Sequence, residues 1–262
     1  MPGLVTLLSD FGTRDAFVGI MKGVMLSSDP ALRLIDLTHE IPAQAVDVGA
    51  LVLRSAVPYF PPGTVHLAVV DPGVGGTRVP IAVRTERALL VGPDNGLLAP
   101  AAKALGGARA VHAIDNRALW YQPVSRTFHG RDIFAPAAAH LARGGGLAEL
   151  GSARDGLLDA GLPEVVTTAD GARGAVVHVD RFGNLLTNID RRALDAFRHL
   201  PLSVRVAEMV TVPLRATYGD VATGQLVALW SSWDTIEIAL RDGSAAAHLG
   251  VGRGAAVTAT SG

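Results

Sequence analysis

A chain of 262 residues, 49% hydrophobic and 18% charged, can build a sizeable core, which excludes a disordered polymer. Its net charge of -1, with no basic block, argues against nucleic acid as a partner, because phosphate binding needs clustered Lys and Arg. The lack of cysteine excludes disulfides, thiolate chemistry and Cys-ligated metal, and fits a cytoplasmic location. No apolar run is long enough to span a membrane, and the opening MPGLVTLLSDFG does not read as a signal peptide.

Residues 5–8 read as a first strand that ends at Ser9-Asp10. A turn at Phe11-Gly12-Thr13 leads into a helix over 15–26, with Phe17, Ile20, Met21 and Val24 as its apolar face. Asp29-Pro30 stops it. A second strand over 32–37 ends at Thr38-His39-Glu40, and 45–57 is helical. The run Leu67-Ala68-Val69-Val70 has no polar break, which is the pattern of a strand buried on both faces. It stops at Asp71, and Pro72-Gly73-Val74-Gly75-Gly76 turns the chain toward Arg78. GVGG is not a phosphate loop, because a strand (79–83) follows it where a helix N-terminus would be needed. Further strands are expected at 88–91 and 110–114, and helices at 97–105 and 132–142.

Strands alternating with helices imply a mainly parallel, Rossmann-like sheet covered on both faces. After Arg143-Gly144-Gly145-Gly146 the pattern changes. Short strands over 175–179, 185–189, 203–206, 226–230, 235–240 and 255–260 imply a small antiparallel β-barrel. The expected organisation is an N-terminal α/β domain over 1–168 and a C-terminal β-barrel domain over 169–262, with no internal repeat.

The candidate chemistry sits at strand ends. Asp10 and Asp71 close two strands of the parallel set, the edge where open α/β sheets bind ligands, and a carboxylate there suits a ribose diol. The plain alternatives are a turn cap for Asp10 and a surface ion pair for Asp71 with Arg78. His129 could serve as a general base or as a hydrogen-bonded structural residue, and Asp132 is expected to cap its helix. In the barrel, Asp180 and Asn184 flank a turn where polar contacts to a ligand or ordinary turn bonds are equally natural. The eight His show no metal-binding spacing, so no metal site is expected.

Seven blocks, in order, resemble the S-adenosyl-L-methionine hydroxide adenosyltransferases, relatives of the fluorinases and chlorinases. They are SDFGTRD from Ser9, DLTHEI from Asp36, VVDPGVGGTR from Val69, GPDNGLL from Gly92, TFHGRDIFAPAAAHLA from Thr127, DRFGNLLTNI from Asp180 and SSWDTIEIA from Ser231. The resemblance spans nearly the whole chain. It implies the two-domain fold above, assembled as a homotrimer whose sites lie between the N-terminal domain of one subunit and the C-terminal domain of the next. It implies attack of water at the ribose C5′ of S-adenosylmethionine, giving adenosine and L-methionine, with no cofactor beyond the substrate. Asp71, Arg78 and His129 match the catalytic set, and His129 is the expected proton acceptor. Asp10 matches the ribose-binding acid. Asp15, Gly130, Asp180, Asn184, Ser232, Glu237 and Ile238 match substrate-side positions. The halogenases carry Tyr where Asp71 stands and Tyr-Ser where His129-Gly130 stand, which places this chain on the hydrolase branch. Trp233-Asp234 departs from the looser Gly-containing turn usual in the family. A halide-using adenosyl transferase and a non-catalytic nucleoside sensor are the rival readings.

Overall fold

Uninterrupted apolar runs need cover on both faces, and the first half of the chain supplies several. The computed structural model describes residues 3–161 and 163–261. Contacts divide the chain into two units, Met1–Gly161 and Leu162–Gly262. The first contains β1 (Leu4–Ser9), α1 (Phe17–Ser28), β2 (Arg33–Thr38), α2 (Val46–Ala56), β3 (Val65–Val69), β4 (Pro80–Thr85), β5 (Leu89–Pro93), α3 (Ala99–Ala104), β6 (Ala108–Ala113), α4 (Ala135–Ala142), α5 (Leu147–Leu150) and β7 (Ala153–Arg154).

Its strands lie in the order β2-β1-β3-β5-β4-β6-β7. β2, β1, β3 and β5 form the parallel block. β4, β6 and β7 extend it antiparallel. The change of direction has a local cause: only the short turn around Glu86 and Arg87 separates β4 from β5, too little chain for a crossover helix. Side chains alternate across the block as a period of two requires. Leu7, Leu67 and Val69 pack with Met21, Met25 and Phe134 on one face. Leu8, Ala68 and Val70 pack with Val48, Leu53 and Leu97 on the other. Each such side chain contributes about 1.5–3 kcal/mol by leaving water.

The face of α1 differs from the expected one. Val18, Met21 and Met25 are its buried residues, whereas Phe17 and Ile20 are 43% and 41% exposed. Phe17 instead meets the rings of Phe11 and Phe128, with centroids at 5.8 and 5.2 Å.

The second unit contains β8 (Val166–Thr167), β9 (Gly171–Val179), β10 (Leu185–Asp190), β11 (Leu202–Val206), β12 (Val210–Pro213), β13 (Leu226–Trp230), β14 (Thr235–Leu240), α6 (Ala245–Leu249) and β15 (Ala256–Ser261). The order is β12-β11-β15-β9-β10-β14-β13, antiparallel throughout. A bridge between Leu214 and Ala228 brings the chain beyond β12 to β13, so the sheet nearly closes. Val176, Leu185, Val204, Ile236 and Ile238 fill its interior. β8 pairs with β9.

Candidate active site

Asp71 follows the fully buried Val70. Two tight turns bring the chain back: Val74 N–H donates to the Asp71 carbonyl at 3.2 Å, and Gly76 N–H to the Gly73 carbonyl at 3.0 Å. Arg78 thereby faces Asp71. Its Nε lies 2.9 and 3.0 Å from the two carboxylate oxygens, and its Nη2 donates to Oδ2. The side chains of Arg78 and Asp71 are 10% and 5% exposed, so this is not the surface pair considered above. Burying a pair this way costs desolvation that only complete hydrogen bonding offsets.

The Nη2 group also donates to Nδ1 of His129 at 2.8 Å. A guanidinium has no acceptor, so Nδ1 presents its lone pair and the neutral ring carries its proton on Nε2. Burial lowers the His129 pKa and the Arg78 charge lowers it further, while Asp71, Asp132 and the Ser125 carbonyl act the other way. The three residues expected to form the catalytic set therefore meet. The proton-accepting role expected of His129 is not available while this contact lasts.

His129 immediately precedes a π-helical turn, Gly130–Phe134, that runs into α4. Such turns are rare and concentrate at functional sites. Asp132 lies inside that turn, fully buried, and is not the helix cap expected of it. Its Oδ2 accepts from Ser125 N–H at 2.7 Å, and Arg131 pairs with it. These bonds hold the segment leading to His129. Gly130 is closed in: an added Cβ would lie 3.1 Å from Met21 Sδ and 3.3 Å from the rings of Phe11 and Phe128.

Asp10 joins this edge through the sheet register. Ser9 pairs with Val69, so Asp10 and Asp71 leave neighbouring parallel strands at the same end. Asp10 Oδ2 accepts from Gln44 N–H at 2.8 Å, a bond to another loop in place of the turn cap considered above. Behind it, Ser9 Oγ is 2.7 Å from His39 Nδ1, and His39 Nε2 is 3.0 Å from Asp36 Oδ1. Asp15 is exposed, and no hydrogen bond among the described residues joins it to Asp71, Arg78 or His129.

The barrel unit holds a second polar group. Asp180 Oδ1 accepts from the N–H groups of Phe182 and Asn184, each at 2.9 Å, and Oδ2 accepts from Asn184 Nδ2 at 3.0 Å. Tyr218 donates to Glu237 Oε1 at 2.6 Å. Burial raises the Glu237 pKa; Asp180 adds to this and the Tyr218 bond opposes it. An open cleft of about 670 Å³ is lined by Phe182, Asn184, Tyr218 and Arg241, among others. Ser232 is exposed between β13 and β14. Next to it, Trp233 stacks on His178 with centroids at 5.5 Å. Ile238 is 0% exposed and its side chain belongs to the barrel core. Tyr218 escaped the sequence reading; the Thr217–Asp220 capping pair around it was the available signal.

Comparison with known proteins matches residues 5–151 to the SAM hydroxide adenosyltransferase N-terminal domain and residues 174–258 to the C-terminal domain of that family. A protein of Salinispora tropica named (R)-S-adenosyl-L-methionine hydrolase is 45% identical over 260 residues, 98% of each chain. A fluorinase of an Actinoplanes species is 29% identical over 73% of each chain. The crystal structure of a conserved protein from Thermotoga maritima superposes with a TM-score of 0.90 at 35% identity, covering 97% of this chain and 99% of that one.

Proposed function

The chain belongs to the SAM hydroxide adenosyltransferase family, and from that premise we propose that it hydrolyses S-adenosyl-L-methionine to adenosine and L-methionine. The observation that carries this reading is the contact of Asp71 and His129 with one guanidinium, that of Arg78.

Water attacks C5′. A C–O bond forms, the C5′–S bond breaks with its electron pair passing to sulfur, and methionine leaves as a neutral thioether while one proton is released. The attack merges a partly anionic oxygen with a sulfonium cation, so a dry, pre-oriented site favours the transition state over the hydrated ions. Arg78 polarises the water. Among the described residues, Asp71 Oδ1 accepts from Nε of Arg78 alone and keeps a lone pair that orients the water and takes its proton. His129 holds the guanidinium in place as a neutral ring. Asp10 takes the ribose diol. Asp180, Asn184, Glu237 and Ser232 take the remaining polar groups of the substrate, and the reaction needs no cofactor. We place Asp15 and Gly130 at the substrate margin.

Each unit carries only part of this set. We propose a homotrimer in which the barrel of one subunit completes the α/β site of the next, as the resemblance implies, in the cytoplasm.

Incubating pure protein in excess with S-adenosylmethionine, with and without chloride, tests the reading by chromatography. Adenosine and methionine at a rate independent of chloride support it. A 5′-chloro-5′-deoxyadenosine product would favour the halide reading, and unchanged substrate the sensor.

A further inference from the structure

The Gly92–Leu98 stretch has no part in the mechanism above, yet it reaches the loop that carries Asp71 and Arg78. Asn95 Nδ2 donates to the Val70 carbonyl at 2.9 Å, and Asn95 Oδ1 accepts from Leu97 N–H at 3.2 Å. One donor and one acceptor contact together fix the orientation of the amide. One residue earlier, Asp94 N–H donates to the Val79 carbonyl at 2.9 Å. Val70 immediately precedes Asp71, and Val79 immediately follows Arg78. Consecutive residues at the end of β5 therefore hold both ends of the Asp71–Arg78 loop.

The geometry leaves the loop little freedom elsewhere. Val70 lies just past β3, where the strand pairing has stopped, and it is 0% exposed. Its carbonyl cannot turn to water, so the Asn95 amide decides where it points. Asp94 is held in turn, because Leu158 N–H donates to its Oδ1 at 2.6 Å. At the tip, Gly75 approaches the Arg126 carbonyl in the segment that leads to His129. A small rotation at Val70 would carry through Asp71 to Arg78, and from Arg78 to His129.

We infer that Asn95 is a positioning residue for the reaction: its amide sets the direction in which Asp71 leaves the sheet, and through Asp71 the reach of Arg78 to His129. This rests on the assignment of Asp71, Arg78 and His129 as the water-handling set. Asn95 touches none of the reacting atoms. Its loss should act on the chemical step, since a displacement of about 1 Å at a reacting group can cost on the order of 100-fold in rate.

The test compares Asn95→Ala, Asn95→Ser and Asp71→Asn in the full-length chain, reading kcat and KM for S-adenosylmethionine and the titration of the His129 ring by NMR. Arg78, Asp71 and Asp132 are the charged groups acting on that ring. Both Asn95 variants should lose roughly tenfold or more in kcat, with KM held within about threefold. The His129 midpoint should move up toward its ordinary value as Arg78 leaves Nδ1. Wild-type kcat and an unmoved titration in the Asn95 variants, beside an impaired Asp71→Asn, would overturn the inference. So would a kcat loss that only tracks the folded fraction, with the titration unmoved. If Asp71→Asn turns over normally, the catalytic assignment fails, and the titration alone still decides whether Asn95 places Arg78. If Asn95→Ala does not fold, Asn95→Ser decides in the same way.

Discussion

Arg78 donates to Nδ1 of His129 at 2.8 Å, and this contact exists only while the imidazole is neutral. Protonation would put a hydrogen on Nδ1 and set two cations against each other. Burial and Arg78 both lower the His129 pKa, so the neutral state persists below the ordinary range for histidine. Activity should therefore be lost as pH falls through a midpoint below 6.5. The kcat/KM profile against pH measures it.

His129→Gln retains an acceptor for Arg78 and cannot titrate. It should keep more activity than His129→Ala and lose the acidic limb altogether. The alanine variant should lose about 10- to 100-fold in kcat, the worth of one hydrogen bond to a charged group. Steady-state kinetics of the two variants across acidic pH checks both statements. An alanine variant with normal kcat would remove His129 from the mechanism.

Asp71→Asn leaves a buried guanidinium without its counter-charge. Removing one partner of a buried pair costs about 3–5 kcal/mol, so the denaturant midpoint should fall clearly. On the folded fraction, kcat should drop on the order of 100-fold or more, because the water loses the carboxylate that orients it. Denaturant melts beside single-turnover kinetics separate the two effects.

Gly75 has φ at +73°, and an added Cβ would lie 2.4 Å from the Arg126 carbonyl oxygen. Gly75→Ala combines a left-handed backbone cost of about 1–2 kcal/mol with a collision against backbone. The tip must lift, carrying the Asp71–Arg78 loop away from the His129 segment. We expect roughly tenfold or greater loss in kcat with the fold retained, measured by kinetics and circular dichroism. A wild-type rate would show that the loop tip does not set the site.

These residues also show what the sequence could reveal. Asp71 was legible because an apolar run ends there in glycines. The barrel was legible because its strands are short and alternate, although β12 was missed: Val210–Pro213 is too brief to show a period. The meeting of Arg78 with His129 spans a separation of 51 residues, which no local pattern encodes. Asp132 misled for the opposite reason. An Asp ahead of an apolar helix reads as a cap, but the π-helical turn moves it inside, where Ser125 and Arg131 take its oxygens. Ile238 stood in a matching block, yet the parity of β14 points it into the core while its neighbour Glu237 bonds Tyr218.

His66, on β3, is fully buried beside Thr6, with its Nδ1 2.7 Å from Oγ1. Burial lowers its pKa from 6.5 to about 4. Between these values the unfolded chain binds a proton that the folded chain does not, so stability present above 6.5 is lost as pH falls toward 4. The slope from this one group is at most about 1.4 kcal/mol per pH unit. Chemical denaturation at stepped pH should show it, and His66→Gln should flatten the curve by that one proton. An unchanged slope would contradict the burial account.

In the proposed reaction, water placed by Asp71 and Arg78 attacks the ribose carbon. Turnover of S-adenosylmethionine in ¹⁸O-labelled water, followed by mass spectrometry, shows where the attacking oxygen ends up. One heavy oxygen in the 5′-hydroxyl of adenosine, none in methionine, and loss of labelled product in Asp71→Asn are expected. Adenosine without label, or label incorporated at the wild-type rate by Asp71→Asn, would contradict it.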